Sequence, residues 1–407
     1  MFQQSGELYN RLQGGWPSLK YALCAMAYSC LSIKKFYPNI ELVTDSYGFR
    51  LLVNELGLPY SYVSLALNDF DANPNLWALA KVYSYGLQNE AFIHVDNDIF
   101  LWGKFPRRIE QASLCCQNIE QLSLDYQEGL DILKTHFIPS PTIFKGLADE
   151  SDLSNVHAVN AGILGGNNVD FIREYSQLVM DFYTKRPYEF SLVGERIGLL
   201  NIIMEQLSFG YLARQANIEV ECLKHITDFD ELINNIIDIY AAPIRTKYVH
   251  CLGNIKKDLA VAQQIEFHLK SQYPEYHQRI LEYCEQSGSV TALDMRQFHN
   301  FEQIFHLLSS YESVESLMDN VKFRISKQCK VKQSSDCTSL ISEGNAIPLS
   351  GWGKMMVYMT EFKTGNQLTE ELYNDLKDYF SKAEIQDNVF SYMLHSLYRG
   401  NFIEYIE

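Results

Sequence analysis

The stretch from Ala91 to Trp102, AFIHVDNDIFLW, says more about the fold than any other part of the chain. A short apolar run leads into Asp96 and Asp98, and a second apolar run follows directly. Two carboxylates at the end of a buried strand destabilise a fold unless a cation neutralises them. Oxygen ligands suit hard divalent ions such as Mg²⁺ or Mn²⁺, and open α/β sheets bind ligands at the carboxyl ends of their strands. The pattern therefore predicts a metal–diphosphate site.

The spacing Asp-x-Asp is not specific by itself, because it also occurs at Asp69–Asp71 and at Asp228–Asp230. The first of these precedes an Asn-Pro turn signal, and the second resembles the solvated start of a helix, where acidic residues are favoured. Neither lies between apolar, strand-like runs, so we interpret both as structural. For Asp96 and Asp98 the alternative to a metal site is a strand-end turn with exposed carboxylates.

A second group of polar residues follows an apolar, strand-like approach in YVHCLGNIKKD, residues 248–258. It contains His250, Gly253 and Lys256 in the spacing His-x-x-Gly-x-x-Lys. Histidine supplies a neutral nitrogen ligand at pH 7, glycine permits close backbone approach to a phosphate, and lysine supplies a mobile positive charge. A lone histidine is usually structural, but these three residue types on one short turn favour a site for metal and diphosphate.

A third block, HAVNAGILGGNN, runs from His157 to Asn168. Its apolar alternation predicts one strand over residues 158–164, with Asn160 and Gly162 inside it and Gly165–Gly166 ending it. Glycine inside a strand often marks close approach by a ligand or by another backbone. The alternative is a plain strand that ends in a Gly-Gly turn.

In this order the three blocks resemble the motifs of GT-A-fold nucleotide-sugar glycosyltransferases, and most closely those of glycosyltransferase family 8, the glycogenin and lipopolysaccharide-galactosyltransferase group. The likeness consists of spaced motifs over roughly residues 30–260. It implies a mostly parallel central sheet covered by helices, and retention of the donor's α-configuration. It also implies a UDP-sugar donor and Mn²⁺ (or Mg²⁺) held by Asp96, Asp98 and His250.

The resemblance extends to residues that would contact the donor. It implies diphosphate or cofactor binding by Lys81, Gly162, Gly253 and Lys256, and contact with the donor sugar by Asn160, Glu205 and Gln206. Lys81 and Glu205 have the alternative of being ordinary solvated helix residues, and Glu195 competes with Glu205 for the acidic role. The family's first strand, which helps to bind the base, would be very short here, so Asp45 is only a candidate base contact.

These motifs favour an enzyme, a metal-dependent glycosyltransferase that moves a sugar from a nucleotide donor to a glycan, peptide or small-molecule acceptor. One alternative is a catalytically degenerate protein that binds sugar nucleotides or serves as a scaffold. Another is a metal-dependent nucleotidyltransferase, which normally has a glycine-rich phosphate loop after its first strand. The early pair Gly14–Gly15 is too short to form such a loop, and the late His-x-x-Gly-x-x-Lys motif is not expected in a nucleotidyltransferase.

Composition excludes several other classes of protein. The net charge of −16 argues against nucleic acid and against anionic membranes as partners. No stretch is long and apolar enough to span a membrane. Nine cysteines without regular spacing, among them Cys115–Cys116 and Cys251, favour reduced thiols and a cytoplasmic location.

The hydrophobic pattern predicts two domains. Strand-like runs alternate with helical patterns up to about residue 110, which is typical of an α/β fold. We therefore predict a GT-A-like catalytic domain over residues 1–285, closed by one helix over about 258–284. Residues 290–407 show repeated helical patterns and predict an all-helical module. This module would pack on the catalytic domain, mediate homo-oligomer formation, or recognise the acceptor.

Overall fold

The computed structural model describes the chain in segments, and all structural statements concern these residues alone. They are residues 14–120, 122–138, 142–144, 157–225, 239–287, 304, 306–333, 338–342, 345–349, 351–400 and 403–406. Asp228 and Asp230 therefore lie outside the described residues, as do the first thirteen residues and most of the predicted boundary between the two domains.

The first third of the described chain alternates helices and strands, as the sequence predicts. Its elements are α1 (Leu19–Lys34), β1 (Glu41–Val43), α2 (Ser46–Phe49, followed by a π-helical segment Arg50–Glu55), β2 (Tyr62–Ser64), α3 (Ala78–Gly86), β3 (Phe92–Val95) and β4 (Ile99–Leu101). Strands β1 and β2 pair in parallel, with Glu41 opposite Tyr62. The α/β class is thus confirmed, and β3 ends where Asp96 begins.

The middle of the chain completes the sheets around β3. Its elements are α4 (Arg107–Glu110), β5 (Leu114–Cys116), β6 (Ile119–Glu120), α5 (Leu124–His136), β7 (Ala158–Val159), β8 (Ile163–Gly166), α6 (Val169–Thr184), α7 (Pro187–Leu192), α8 (Leu200–Ile202), α9 (Ser208–Gln215), β9 (Val220–Cys222), α10 (Ala242–Arg245), β10 (Tyr248–His250), α11 (Leu259–Gln272) and α12 (Pro274–Gln286). Between α7 and α9, a 3₁₀ segment and a π-helical segment, Gly194–Leu199 and Ile203–Leu207, flank α8.

The strands form small mixed sheets and not the mostly parallel sheet that the sequence predicted. The largest sheet has the order β3-β8-β5-β9, in which β8 runs antiparallel to β3 and to β5, while β5 and β9 are parallel. Strand β4 pairs with β10, and β6 with β7, both antiparallel. Because β3 and β5 both oppose β8, they run in the same direction and their carboxyl ends lie at one edge.

The prediction of a single strand over residues 158–164 is wrong, because a turn divides this segment into β7 and β8. The side chain of Asn160 accepts a hydrogen bond from Gly162 N–H at 2.9 Å, which closes the turn. The two glycines predicted to end the strand are the last two residues of β8. A Cβ atom on Gly165 would lie 2.1 Å from the carbonyl oxygen of Phe92 in β3, so only glycine permits this strand pairing.

The single helix predicted over 258–284 is also divided, into α11 and α12. Pro274 is the first residue of α12, where its missing N–H is no loss. In the middle of a continuous helix the same proline would remove a hydrogen bond and clash with the preceding turn. The chain therefore turns at Tyr273, and α11 and α12 both pack on α1.

The prediction of an all-helical C-terminal module is wrong, because the described part of residues 290–407 contains six strands. Its elements are α13 (Val314–Asn320), β11 (Lys322–Ile325), β12 (Cys329–Gln333), β13 (Thr338–Ser342), β14 (Asn345–Leu349), β15 (Lys363–Thr364), α14 (Gly365–Leu376), α15 (Lys382–Gly400) and β16 (Ile403–Ile406). They form two antiparallel sheets of three strands, β15-β11-β16 and β12-β13-β14. The short alternating runs KFRI and CKVKQ are strand patterns that the neighbouring helical patterns obscured.

Two hydrophobic cores flank the strand end at Asp96. The first surrounds β8, α3, α6 and α9, and Phe92 of β3 packs against it. The second is formed by α1, α11 and α12 and includes Phe100 of β4. The turn that carries Asp96 and Asp98 therefore joins a strand on one core to a strand on the other, and its position is fixed from both sides. None of the described helices is long and apolar enough to cross a bilayer.

Candidate functional site

The turn between β3 and β4 holds the two predicted carboxylates in place. Asp96 N–H donates to the carbonyl oxygen of Gly162 at 2.9 Å, and Ile99 N–H donates to the carbonyl oxygen of Asp96 at 3.2 Å. Asp98 is buried and Asp96 is half-buried. Two carboxylates thus lie close together at a strand end with little access to bulk water. Their negative charge destabilises the fold unless a cation neutralises it.

Strand pairing brings the third predicted ligand, His250, to the same point. Strand β10 runs antiparallel to β4 with His250 opposite Ile99, one residue beyond Asp98. Nε2 of His250 lies 3.3 Å from Oδ1 of Asp98 and 4.0 Å from Oδ2 of Asp96. The three potential ligand atoms lie within 4.8 Å of one another. Residues separated by more than 150 positions therefore converge on one small volume.

Gln117, which the sequence analysis missed, orients the histidine. Its Oε1 atom lies 2.8 Å from Nδ1 of His250 and also accepts a hydrogen bond from the hydroxyl of Tyr248. Its Nε2 atom donates to Oδ1 of Asn118 at 3.1 Å. Because a carboxamide oxygen only accepts, Nδ1 of His250 donates a proton to Gln117, and Nε2 is the ring nitrogen that faces the carboxylates. Nε2 is therefore the nitrogen that could bind a metal ion.

The residues present fit a hard divalent ion. Oδ1 of Asp98 is buried and accepts no hydrogen bond within the part of the chain that the structure describes. A buried carboxylate oxygen without a partner indicates a missing cation or donor. Two carboxylates and an imidazole nitrogen suit Mn²⁺ or Mg²⁺. The residues that would hold the ion are Asp96, Asp98 and His250.

A second group of potential ligands, Cys24, Glu266 and His277, fits a metal less well. Both carboxylate oxygens of Glu266 already have partners: Lys20 Nζ lies 2.7 Å from one and His277 Nε2 lies 2.9 Å from the other. The ammonium of Lys20 takes the place that a cation would occupy. We therefore interpret this group as a buried ion cluster that joins α1, α11 and α12.

Lys81 on α3 approaches the site from the first core. Its Nζ atom lies 2.9 Å from Oδ1 of Asp96 and 2.9 Å from Oε1 of Glu205. Burial alone would raise the pKa of Asp96, but the nearby charges of Lys81 and His94 outweigh it and hold that pKa below its ordinary value. Asp96 therefore stays ionised, as a metal ligand must. His94, whose Nε2 atom lies 3.0 Å from Asp96, is a further contact that the sequence analysis missed.

Glu205 does not lie where the expected contact with the donor sugar would require it. Its side chain is fully buried behind Lys81, outside the walls of the cavity described below, and accepts a hydrogen bond from the hydroxyl of Tyr85 at 2.6 Å. Burial raises the pKa of Glu205, and the charge of Lys81 opposes this rise. We therefore correct its role to holding Lys81 in place. Glu195, its competitor for the acidic role, is exposed on the cavity wall.

Lys256 approaches from the opposite side, on the 3₁₀ segment Gly253–Lys257. Its Nζ atom lies 2.6 Å from Oδ2 of Asp98. Burial would lower the pKa of Lys256, but the charge of Asp98 outweighs it and raises that pKa. Gly253 has a φ of +50°, which favours glycine at the start of this turn. The late motif and the strand-end carboxylates thus form one charged cluster.

Close packing against His250 and Gln117 requires a glycine at position 162. A Cβ atom at this position would lie 2.3 Å from Nδ1 of His250 and 2.8 Å from Oε1 of Gln117. Real Cβ atoms do not approach that closely, so any side chain here would displace the histidine. The glycine expected to face the cofactor therefore acts by leaving room for His250.

The charged cluster opens into a cavity of about 2670 Å³. Among its walls are Asp96, Asp98, His250, Lys81, Lys256, Gly162 and Gly253. Beyond Gly162 the wall carries a second polar group: Glu120, Tyr126, Asn160 and Gln206. Asn160 Nδ2 donates to Glu120 Oε1 at 2.6 Å, and the Tyr126 hydroxyl contacts Glu120 Oε2 at 2.6 Å and Gln206 Oε1.

Glu120 and Gln117 had a usable sequence signal, although the analysis did not use it. Both follow the apolar run of β5, just as Asp96 and Asp98 follow β3. Because β3 and β5 run in the same direction, the two sets of polar residues lie at the same edge of the sheet. Asp45, the candidate base contact, instead caps α2 by accepting a hydrogen bond from Gly48 N–H at 2.7 Å, and it does not line the cavity.

Comparison with known proteins gives one match. The model of a family described as a family of unknown function, DUF6734, matches residues 2–283. All residues of the site fall within this range, and the described elements from α13 to β16 all fall outside it. No curated protein and no solved structure matches the chain.

Proposed function

We propose that this chain, which belongs to the DUF6734 family, is a metal-dependent glycosyltransferase with a GT-A-like catalytic domain. It transfers a sugar from a UDP-linked donor to a glycan, peptide or small-molecule acceptor, with retention of the donor's configuration. Its eight described cysteines are free and buried, which fits a cytoplasmic enzyme. The choice of uridine, the retaining outcome and the GT-A-like fold rest on the motif resemblance alone.

The convergence of Asp96, Asp98 and His250 on the wall of the cavity is the observation that carries the proposal. Two carboxylates and an imidazole nitrogen surround one small volume, and one carboxylate oxygen there accepts no hydrogen bond from the described residues. Two lysines flank this volume from opposite sides. A group with several negative oxygens, held by a divalent ion between two ammonium groups, fits this arrangement of charge.

The chain's own residues supply binding and charge at the leaving group. Lys256 is attached to a turn that starts at a glycine, so its ammonium can move from Asp98 to a phosphate oxygen of the donor. Lys81 is held more firmly, because it contacts two carboxylates. A bound divalent ion would neutralise the diphosphate and the charge that develops on the departing UDP.

Titration calorimetry with UDP tests the binding part of the proposal. We expect UDP to bind in the presence of Mn²⁺ and to bind at least about tenfold more weakly after EDTA treatment, since the diphosphate would then face Asp96 and Asp98 directly. ADP and GDP serve as controls for the choice of base. Equal binding with and without the metal would contradict the role of the carboxylates.

Mass spectrometry of UDP-sugars incubated with the protein and Mn²⁺ tests the catalytic part. Release of UDP together with free or transferred sugar supports a glycosyltransferase. Metal-dependent binding without any turnover across the panel and a set of acceptors would favour the degenerate binding protein. Formation of pyrophosphate from nucleoside triphosphate and sugar phosphate would instead identify a nucleotidyltransferase.

A further inference from the structure

We propose that Glu120 is a specificity-determining residue that selects a neutral sugar: its carboxylate accepts hydrogen bonds from sugar hydroxyl groups and repels a sugar that carries a carboxylate. The inference rests on the proposed function, because it concerns the sugar end of the same cavity. It adds a residue that the motif pattern does not include and a chemical class for the donor.

The position of Glu120 follows from strand pairing. It ends β6, opposite Ala158 in β7, and therefore lies beside the turn that carries Asn160 and Gly162. Glu120 accepts from Asn160, Asn160 accepts from Gly162 N–H, and Gly162 packs against His250. The wall is continuous from the metal ligands to Glu120. A sugar attached to a diphosphate at the metal end therefore extends along this wall.

The carboxylate of Glu120 can accept more hydrogen bonds than the described residues donate to it. It is half-buried, and the structure describes no lysine, arginine or histidine in an ion pair with it. An ionised carboxylate accepts about four hydrogen bonds, and Asn160 and Tyr126 provide two. Burial and the charge of Glu120 raise the pKa of Tyr126, which keeps its hydroxyl protonated as a donor. The remaining lone pairs suit hydroxyl donors from a ligand.

The surrounding charges explain why an anionic sugar would be rejected. Asp125 and Glu195 also line this end of the cavity, and both are exposed. The two lysines among the described residues of the cavity wall are already paired, Lys81 with Asp96 and Glu205, and Lys256 with Asp98. A carboxylate on the ligand would therefore meet like charge and no unpaired lysine on the described part of the wall, and such repulsion discriminates between ligands more strongly than a missing contact does.

Competition binding with Mn²⁺ present tests this selection. The probes are UDP, UDP-glucose, UDP-galactose and UDP-glucuronate, and the variants are Glu120→Gln and, as control, Glu128→Gln. Glu128 is an exposed residue of α5 that pairs with Arg196 outside the cavity wall. For the parent we expect at least one neutral donor to bind about tenfold or more tightly than UDP-glucuronate.

The expected result for Glu120→Gln is a several-fold loss of this selectivity ratio, with UDP itself bound as by the parent. Glutamine keeps the shape of the wall, because its oxygen can accept from Asn160 while Tyr126 accepts from its amide group. A purely structural role for Glu120 would alter UDP binding or thermal stability without changing the ratio. The control Glu128→Gln should leave the ratio unchanged.

Two outcomes would overturn the inference while leaving the proposed function intact. One is a parent that binds UDP with Mn²⁺ but binds UDP-glucuronate as tightly as the neutral donors. The other is a Glu120→Gln variant with the parent's selectivity ratio. A parent that binds none of the UDP compounds with Mn²⁺ would instead contradict the proposed function, so the two failures are distinguishable.

Discussion

Replacing Asp98 by asparagine removes one negative charge from the candidate metal group at almost constant volume. Asp98 Oδ2 lies 2.6 Å from Lys256 Nζ and Oδ1 lies 3.3 Å from His250 Nε2, so the side chain faces both a cation and a ligand nitrogen. A charged hydrogen bond contributes about 1.5–3 kcal/mol, and a doubly charged ion interacts more strongly than an ammonium does. We expect Asp98→Asn to lose about 3 kcal/mol or more of Mn²⁺-dependent UDP binding, which is at least about a hundredfold in affinity.

The same substitution should leave the fold intact. The asparagine oxygen can still accept a hydrogen bond from Lys256. The substitution also removes the repulsion between the carboxylates of Asp96 and Asp98, which raises the pKa of Asp98 in the parent. The free energy of unfolding in the absence of metal should therefore change by no more than about 1–2 kcal/mol. Calorimetry gives the affinity and chemical denaturation gives the stability.

Asp69→Asn is the matched control, since Asp69 has the same Asp-x-Asp spacing but is exposed at the end of the 3₁₀ segment Ala66–Asp69. It should bind UDP with Mn²⁺ as the parent does. Equal losses in Asp69→Asn and Asp98→Asn would refute the assignment of the metal to the strand end. So would an Asp98→Asn variant that is folded and keeps the parent's metal-dependent affinity.

Three further substitutions probe other parts of the structure. Gly162→Ala should weaken Mn²⁺-dependent UDP binding about tenfold or more, because the new Cβ atom would displace His250, as calorimetry will measure. Lys256→Met should weaken UDP binding about ten- to a hundredfold while Mn²⁺ binding without nucleotide persists in the same measurement. Glu266→Gln should lower the free energy of unfolding by about 3–5 kcal/mol in denaturant titrations, because it leaves Lys20 buried without its anionic partner. The difference in unfolding free energy between the parent and Glu266→Gln should become smaller at acid pH. Burial would raise the pKa of Glu266, but His277 and Lys20 outweigh burial and hold that pKa below its ordinary value. The stability that the Glu266 carboxylate contributes is therefore lost as the pH falls through this lowered pKa.

Each of these substitutions has a control or a contradicting result. Gly198→Ala also changes a glycine on the cavity wall, but its Cβ atom would meet nothing within 4 Å, so binding should be unaffected. Lys257→Met removes an exposed charge next to Lys256 and should leave UDP affinity unchanged. A Glu266→Gln variant as stable as the parent would show that the buried ion cluster does not stabilise the fold.

The convergence of Asp96, Asp98 and His250 could be predicted because each residue has a local signal. Asp96 and Asp98 follow β3, and His250 ends β10, so the rule that ligands bind at strand ends places the three residues near one another. The details of the sheet could not be predicted in the same way. Strand direction depends on the turn at residues 160–162, which a short Asx hydrogen bond closes, and periodicity carries no information about that bond.

Glu205 and Glu120 show why motif order does not fix a residue's role. Both are carboxylates near the candidate sugar end, but Glu205 lies on a π-helical segment whose wider turn points it into the first core. Glu120 lies at the end of a two-residue strand, too short to predict from an alternating pattern. The position after β5 places Glu120 near the site, but packing between distant elements decides which acid reaches the cavity, and an alternating pattern does not predict that packing.

The C-terminal region lies beyond the residues that match the family, but it contacts α10 and the residue before it. Ala241 and Ile244 pack in the hydrophobic core formed by residues of α13, α14 and α15. Arg245 donates to Ser391 at 3.0 Å and pairs with Asp387, both on α15. Helix α10 leads within three residues to β10, the strand that delivers His250. These contacts join the C-terminal region to the segment that leads into β10, so we expect the C-terminal region to help hold His250 in position.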